Sequence, residues 1–486
     1  MSEPIIRFMH NHILVKEDSK LVEFTGTRYP DLCCVLMNVL NIYKCRLHAS
    51  LSQLHSLYFR LSSHRLCCNQ EYCQYWCLSS FHKLCNMTEV KSLASAAIDR
   101  ESANLRKISL DIWEHPELCF EERHAHDVLT DFLESKGFLV ERHYKLDTAF
   151  RATISSKELQ QDAPNIGVMC EYDALPGIGH ACGHNLIAIL GLSVALGVKE
   201  ALDTGNINGK LTVLGCPAEE GGGGKIDLIN AGAYKDLSIA MMAHPSQFNL
   251  PTPVYVAMSP VKVKYQGKAS HASSFPWDGL NALDAAVLCY QNVSCMRQQF
   301  KPTWRVHGVI TNGGDKPNII PASAELLYYA RAPSSYELQD IQKRLRGCFD
   351  GAATATGCTV TYNFDPKTYD SLMSNRSLAA LYVKNGDSLG IEFEHDQHKI
   401  LKQGGSTDMG NVSRVLPSIH PKYSLNTSVS LHTTEFRDIA RTESAHETTL
   451  LHAKALSMTA IDVFSDPSLV LKMKEEFKQQ LKSETE

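Results

Sequence analysis

Between Glu171 and Asn185 the chain reads EYDALPGIGHACGHN, which sets an acid (Asp173), a thiol (Cys182) and two imidazoles (His180, His184) in one short stretch. Intervening glycines allow the backbone to turn sharply there. Cys182 and His184, one residue apart, can direct a thiolate and an imidazole at one metal ion. The alternative is a structural thiol beside Asn185, with that asparagine capping the helix that follows. Only ligand-type residues farther along the chain decide between the two. They occur at Pro217-Ala218-Glu219-Glu220, at His244-Pro245 and at Leu431-His432-Thr433. Adjacent carboxylates on extended backbone point to opposite sides, so one of Glu219 and Glu220 can bind metal while the other holds a proton. Cys, His, Glu, Glu and His at three successive strand ends exceed what core packing explains.

Two tempting motifs fail on inspection. The run Gly221 to Gly224 followed by Lys225 is not a phosphate loop, because Ile226 stands where Ser or Thr is needed and Glu219 where the motif's first Gly would be. His446-Glu447 does not open a two-histidine zinc helix either, since Leu450 occupies the second histidine's place.

The elements that must position these residues follow from hydrophobic patterning. Asn165 to Cys170 is strand-like and Leu186 to Ala201 helix-like, so the cluster sits on a loop at the carboxyl end of a strand, where α/β sheets bind ligands. Lys210 to Cys216 and Ser238 to Ala243 are two further strands ending at Glu219-Glu220 and His244. Upstream, Glu101 to Gly137 reads as two helices joined at His115-Pro116-Glu117. Glu121, Glu122, His124 and His126 there read as charge on a solvated helix face.

Downstream, Val261 to Tyr265, Leu280 to Gln299, Thr303 to Ile310, Glu325 to Arg331, Ser335 to Phe349 and Thr359 to Phe364 give the order βαββαβ of a ferredoxin-like sandwich. It interrupts the ligand pattern and is therefore read as an inserted domain. Polar residues stand out in it at Gly267 to His271, Lys316 to Pro321 and Arg331. After Pro366 come a helix from Ser377 to Leu389, a glycine-rich turn from Gly404 to Gly410, His432, a helix from Glu447 to Phe464 and a charged terminal helix with no expected part in the chemistry. The reading is thus α/β: a doubly wound catalytic domain at 87–258 and 369–486, with the inserted domain at 259–368.

Composition bounds the rest. A chain of 486 residues needs more than one core, and 44% hydrophobic with 21% charged residues is ordinary for a globular protein. A net charge of −5 offers no basic field for nucleic acid. Sixteen cysteines spread through so long a chain, without an evident secretory signal, suggest a reducing compartment. The cytosol is expected, with the nucleoplasm as a second location. Residues 1–86 differ from the rest, holding eight of the sixteen cysteines and no sustained periodicity. The run Leu32 to Leu40 is too short for a bilayer, which needs about 20 residues, and no membrane partner is expected. Cys68, Cys73, Cys77, His82 and Cys85 lack the CxxC pairs of a zinc knuckle. This segment is expected to be a poorly ordered extension or to lie outside the working protein, with folding beginning at Met87.

GHACGHN, PAEE, AHP, GKASHAS, NIIP with Arg331 thirteen residues after Asn318, and His432, in that order from about Leu105 to about Phe464, resemble the M20 family of metallopeptidases in the branch that uses a cysteine ligand. The resemblance implies a catalytic domain interrupted by a lid and dimerisation domain. It implies two divalent metal ions, zinc or manganese, held by Cys182, His184, Glu220, His244 and His432. Glu219 would be the general base, Asp173 a carboxylate supporting the ligands, and His271 an oxyanion stabiliser donated across a homodimer. Asn318 and Arg331 would bind the substrate carboxylate. Many cysteine-branch relatives carry Asp where this chain has Asn185, and residues 1–86 have no counterpart in the family.

The activity so implied is hydrolysis of dipeptides ending in lysine, ornithine or arginine, such as β-alanyl-lysine and γ-aminobutyryl-lysine, clearing by-products of carnosine synthesis. An aminoacylase or amidohydrolase acting on N-acyl amino acids would use the same metal chemistry and differ in the pocket for the amino-side group. A catalytically silent scaffold is the reading from another class, and retention of Glu219 with every ligand candidate speaks against it.

Overall fold

The computed structural model describes residues 5–9, 12–17, 20–25, 87–394, 396 and 405–485. The chain divides into two units, Met1–Cys85 and Asn86–Glu486. In the first, β1 (Ile5–Met9), β2 (His12–Glu17) and β3 (Lys20–Thr25) form an antiparallel sheet in that order. This corrects the reading of the segment as lacking pattern: runs rich in Ile, Val and Phe separated by two residues are hairpin spacing. The cysteine set from Cys68 to Cys85 and the run Leu32 to Leu40 lie outside the described residues.

The second unit opens with α1 (residues 87–100), α2 (Ser102–Glu114) and α3 (Arg123–Ser135). The strands β4 (Leu139–Arg142), β5 (Phe150–Ser155) and β6 (Asn165–Glu171) follow, then α4 (His184–Asp203), β7 (Lys210–Cys216), α5 (Gly224–Asn230), β8 (Ile239–Met241) and β9 (His244–Ser246). The lid comprises β10 (Ala257–Gln266), α6 (Ala282–Met296), β11 (Arg305–Asn312), β12 (Ser323–Ala332), α7 (Ser335–Thr356) and β13 (Thr359–Phe364). The chain then returns through α8 (Arg376–Ser388), α9 (Met409–Val412), β14 (Ser418–Ile419), β15 (Lys422–Ser424), α10 (Thr434–Ile439), α11 (Glu443–Ser465) and α12 (Ser468–Thr485).

The main sheet has the order β14-β8-β6-β7-β5-β4, parallel from β14 to β7 and antiparallel beyond. All seven residues of β6 are buried, because both faces of the sheet are covered. Ile166, Val168 and Cys170 face the core shared with α4 and α11, while Met169 on the other face meets Leu228 of α5 and Met409 of α9. α4 is long and apolar enough to cross a bilayer, yet 89% of its most apolar window is buried inside the fold. Its composition is that of a central core helix.

In the lid the sheet order is β11-β12-β10-β13, antiparallel throughout, with α6 and α7 packed on one face over Val261, Val263, Tyr265, Leu326 and Tyr328. β10 accordingly alternates buried and exposed residues beyond Pro260. The helix and strand order is that of the ferredoxin-like reading.

Candidate metal centre

The site is built at the carboxyl ends of β6, β7 and β8. After β6 the chain crosses 172–183 and enters α4 at Gly183, whose φ of 81° suits glycine, and a Cβ there would lie 2.7 Å from Pro245 Cγ. The turn sets Cys182 and His184 at the start of α4, beside the loop carrying His244. Asn185 does not cap this helix, as the structural-thiol alternative supposed. Its Nδ2 donates to Ser109 Oγ at 2.9 Å and to the Ala440 carbonyl at 3.1 Å, tying α4 to α2 and to the end of α10. An ionised Asp could donate neither bond, which gives this chain a physical reason for Asn at this position.

Cys182 Sγ lies 3.4 Å from His244 Nε2 and 3.3 Å from His432 Nε2. Donor atoms of Cys182, His184 and His244 converge, as do those of Cys182, Glu220 and His432, and of His184, Glu219 and Glu220, each set lying within 4.8 Å. The five expected ligands and Glu219 are therefore brought together, with Cys182, His184 and Glu220 each belonging to two sets. Asp173 joins them from behind: its Oδ1 bonds His184 Nδ1 at 2.9 Å and its Oδ2 accepts the Glu220 backbone N–H at 2.8 Å. His244 Nδ1 likewise bonds the Pro245 carbonyl at 2.7 Å. In both histidines the outer nitrogen is held and Nε2 is turned to the cluster.

This donor set fits divalent metal. His184 Nε2 and Glu220 Oε1 are buried and have no hydrogen-bond partner among the described residues; Glu220 Oε1 stands 3.3 Å from His432 Nε2 as an ion pair only. Buried polar atoms left in this way cost free energy unless something binds them. Two nonglycine residues in the left-handed region, Ala218 (φ 60°) just before Glu219 and His432 (φ 62°), hold the backbone in sparsely populated geometry at the same place.

The two adjacent glutamates are electrostatically unlike. Burial, then the charges of Glu171, Glu220 and Asp408, raise the Glu219 carboxyl well above the ordinary range. Burial also opposes ionisation of Glu220, but its ion-pair partner His432 and the nearby His184 hold it below its usual value. Burial disfavours charge on His184, yet Asp173 and Cys182 raise it well above normal. Burial and His184 lower His180 to about 3, leaving a neutral buried ring.

A further layer of charge, behind the ligands, has no signal in the sequence. Lys225 Nζ, fully buried, donates to Glu171 Oε1 at 2.5 Å and to Asp408 Oδ1 at 2.6 Å. Glu171 Oε2 in turn stands 3.6 Å from His184 Nε2. The lysine of the failed phosphate loop is thus an internal cation balancing two carboxylates beside Glu219. Glu122 and His126 are also buried, which corrects the solvated-face reading. Glu122 accepts from the Phe120 and Ala218 backbone N–H groups and from Thr148 Oγ1. Burial, with Asp173 nearby, pushes its carboxyl up to about 7. Glu122 N-terminal to α3 thus holds the Pro217-Ala218 turn rather than facing water.

The lid residues divide. His271 and Asn318 are both exposed and sit side by side, through the His271–Ile319 bridge and the Ala272 N–H to Asn318 carbonyl bond of 3.1 Å. His271 does not join the ligand cluster within the chain. Arg331 instead donates to Ser406 Oγ at 2.9 Å, and Ser406 donates to the Val256 carbonyl at 2.8 Å, so it lies where lid and catalytic domain meet.

Residues 258–356 match the M20 peptidase dimerisation domain. The chain is 49% identical over 409 residues to the Homo sapiens protein named Xaa-Arg dipeptidase, the alignment covering 82% of this chain and 94% of that protein. It is 30% identical over 471 residues to a p-aminobenzoyl-glutamate hydrolase subunit of Escherichia coli K12, covering 81% and 96%. Among solved structures, a dinuclear metal-binding M20 peptidase of Bacillus subtilis superposes with a TM-score of 0.59 at 18% identity, covering 75% of this chain and 99% of that one, and so shares the fold.

Proposed function

The chain belongs to the M20 family of metallopeptidases and is a metallodipeptidase, and on that premise we propose that it hydrolyses dipeptides whose C-terminal residue is basic: arginine, lysine or ornithine. The observation that carries this reading is the near half identity, over almost the whole of that relative, to a protein named Xaa-Arg dipeptidase. β-Alanyl-lysine and γ-aminobutyryl-lysine belong to this substrate class, and clearing such by-products of carnosine synthesis in the cytosol is the role proposed. The eight cysteines outside 1–86 are all free thiols, which suits a reducing compartment.

Cys182, His184, Glu220, His244 and His432 would hold the metal, and their mixed sulfur, nitrogen and oxygen donors suit zinc, or manganese by way of imidazole and carboxylate. Divalent metal at such a site supplies Lewis-acid polarisation of the scissile carbonyl and acidifies the attacking water. Glu219 is the proton carrier. Its raised carboxyl makes the ionised form a stronger base than an ordinary glutamate, able to take a proton from the attacking water and pass it to the leaving amine. Asp173 fixes the tautomer and orientation of His184. His271 and Asn318, exposed on the lid, would act across a homodimer, while Arg331 acts from its own chain.

An N-acyl amino acid hydrolase is the second reading, favoured by the likeness to the p-aminobenzoyl-glutamate hydrolase. A panel of alanyl-arginine, alanyl-glutamate and N-acetyl-arginine separates them. The proposal expects alanyl-arginine to be cleaved with the highest kcat/KM; preference for N-acetyl-arginine or alanyl-glutamate would overturn it.

A further inference from the structure

Where α2 gives way to α3, a second set of metal-type donors meets that shares no residue with the hydrolytic cluster. Asp111 lies in the last turn of α2, His115 ends that helix, and His124 lies in the first turn of α3. One oxygen, Asp111 Oδ1, stands 3.0 Å from His115 Nδ1 and 3.1 Å from His124 Nε2. The two imidazole rings are 4.6 Å apart and tilted by 50°, and one donor atom from each of the three residues falls within 4.8 Å of the others. Zinc bonds of about 2.0–2.2 Å to nitrogen and oxygen would set neighbouring tetrahedral donors roughly 3.3–3.6 Å apart. Both imidazole–carboxylate spacings are close to what such an ion would impose.

An Asp–His pair alone would be an ordinary ion pair at a helix end. The third donor separates this group from that case, because it comes from another helix and is fixed in place. Glu117 accepts the His124 N–H on Oε1 at 2.8 Å and the Ala125 N–H on Oε2 at 3.0 Å, pinning the first turn of α3. The segment 111–124 also gathers Asp111, Glu114, Glu117, Glu121 and Glu122 against Arg123 as its one basic Lys or Arg, a local balance that favours a cation. The side chains of Asp111, His115 and His124 are 37%, 57% and 38% exposed, so an ion can reach them from solvent. Two imidazoles with a carboxylate suit a borderline dication such as zinc, whereas calcium and magnesium prefer all-oxygen sites.

We propose that Asp111, His115 and His124 bind a zinc ion outside the hydrolytic cluster, with water completing its shell. The ion joins α2 to α3 across the base of the loop 116–122. That loop braces the hydrolytic side: the Glu117 carbonyl accepts the Ala174 N–H at 2.8 Å, and Glu122 accepts the Ala218 N–H at 2.9 Å. Zinc here stiffens a loop that supports the backbone beside Asp173 and Glu219.

The test is equilibrium dialysis of the metal-stripped full chain against zinc, unmodified and as the double variant His115→Gln/His124→Gln. The double variant should hold one zinc equivalent fewer at saturation, whatever number the rest of the chain binds. Asp111→Asn should weaken that equivalent by about 10-fold or more, and excess calcium should not displace it. Amide hydrogen exchange across residues 116–125 should slow more on zinc addition in the unmodified protein than in the double variant. Equal zinc content in both proteins, displacement by calcium, or exchange slowed equally in both would overturn the assignment. Neither readout involves turnover, so failure here leaves the dipeptidase reading standing.

Discussion

Asp173 decides which nitrogen of His184 would meet a metal ion. By bonding Nδ1 with one oxygen and the Glu220 N–H with the other, it ties two candidate ligands from different strand ends to a single carboxylate. Asp173→Asn should therefore weaken metal binding by about 10- to 100-fold, measured by competition with a chromophoric chelator. Unchanged affinity would mean that His184 is oriented by packing alone. The gathering of the candidate site residues was legible in the sequence, because Cys182, His184, Glu219, Glu220 and His244 each follow a run that must be a strand and so must gather at one edge of the sheet. Lys225, Glu171 and Asp408 were not. Their contacts join residues 54 and 183 positions apart, and no local pattern marks a buried lysine before its carboxylates are known to be near. Glu122 misled for the same reason, since a charged residue beside a helix reads as solvated until the loop it holds is in view.

At the scale of elements, the cluster depends on how closely α4 lies on β6. Gly191 faces Cys170, and a Cβ added there would come within 2.0 Å of the thiol sulfur. Gly191→Ala should destabilise the fold by about 1–3 kcal/mol, as overpacking does, and urea unfolding of the metal-free protein would measure it. A loss below about 0.5 kcal/mol, the usual size of a neutral surface change, would show that the helix can shift freely. On the same side of the sheet His452 of α11 is buried, its Nδ1 bonded to the Tyr382 hydroxyl at 2.6 Å, and burial lowers its ring to about 3. Its folded value lies below its unfolded one, so it costs nothing above about pH 6.5. As pH falls toward 3 the unfolded chain gains a proton that the folded chain refuses, removing about 1.4 kcal/mol per pH unit. His452→Gln should make the loss of stability between pH 6.5 and 5 shallower by about that slope; identical slopes would contradict the assignment. The hydrophobic runs made β6, β7, α4 and the lid's βαββαβ order readable. The two-stranded pairing of β9 with β15 was not, because three-residue strands carry no period.

For the whole molecule, the question is whether His271 acts on a partner subunit's substrate. It stands exposed beside Asn318 on the lid, outside its own chain's ligand cluster, and the dimerisation-domain match fits donation to a partner. Mixing inactive Glu219→Gln with inactive His271→Ala protein should restore activity, because one site of each hybrid dimer unites an intact Glu219 with an intact His271. A donor to a developing oxyanion is worth about 10²–10³ in rate, so recovery should be plain against the His271→Ala background. No recovery, with subunit exchange shown separately, would place His271 in its own site or outside the chemistry. The most direct measurement is turnover of alanyl-arginine by protein stripped of metal and reloaded with zinc or manganese, alongside Glu219→Gln treated in the same way. Stripped protein should be inert and reloaded protein active. The Glu219→Gln protein should regain the same metal content while turning over about 10²–10⁴-fold more slowly. Activity that survives stripping, or a Glu219→Gln protein that cannot take up metal, would contradict a metal-dependent dipeptidase in which Glu219 carries the proton.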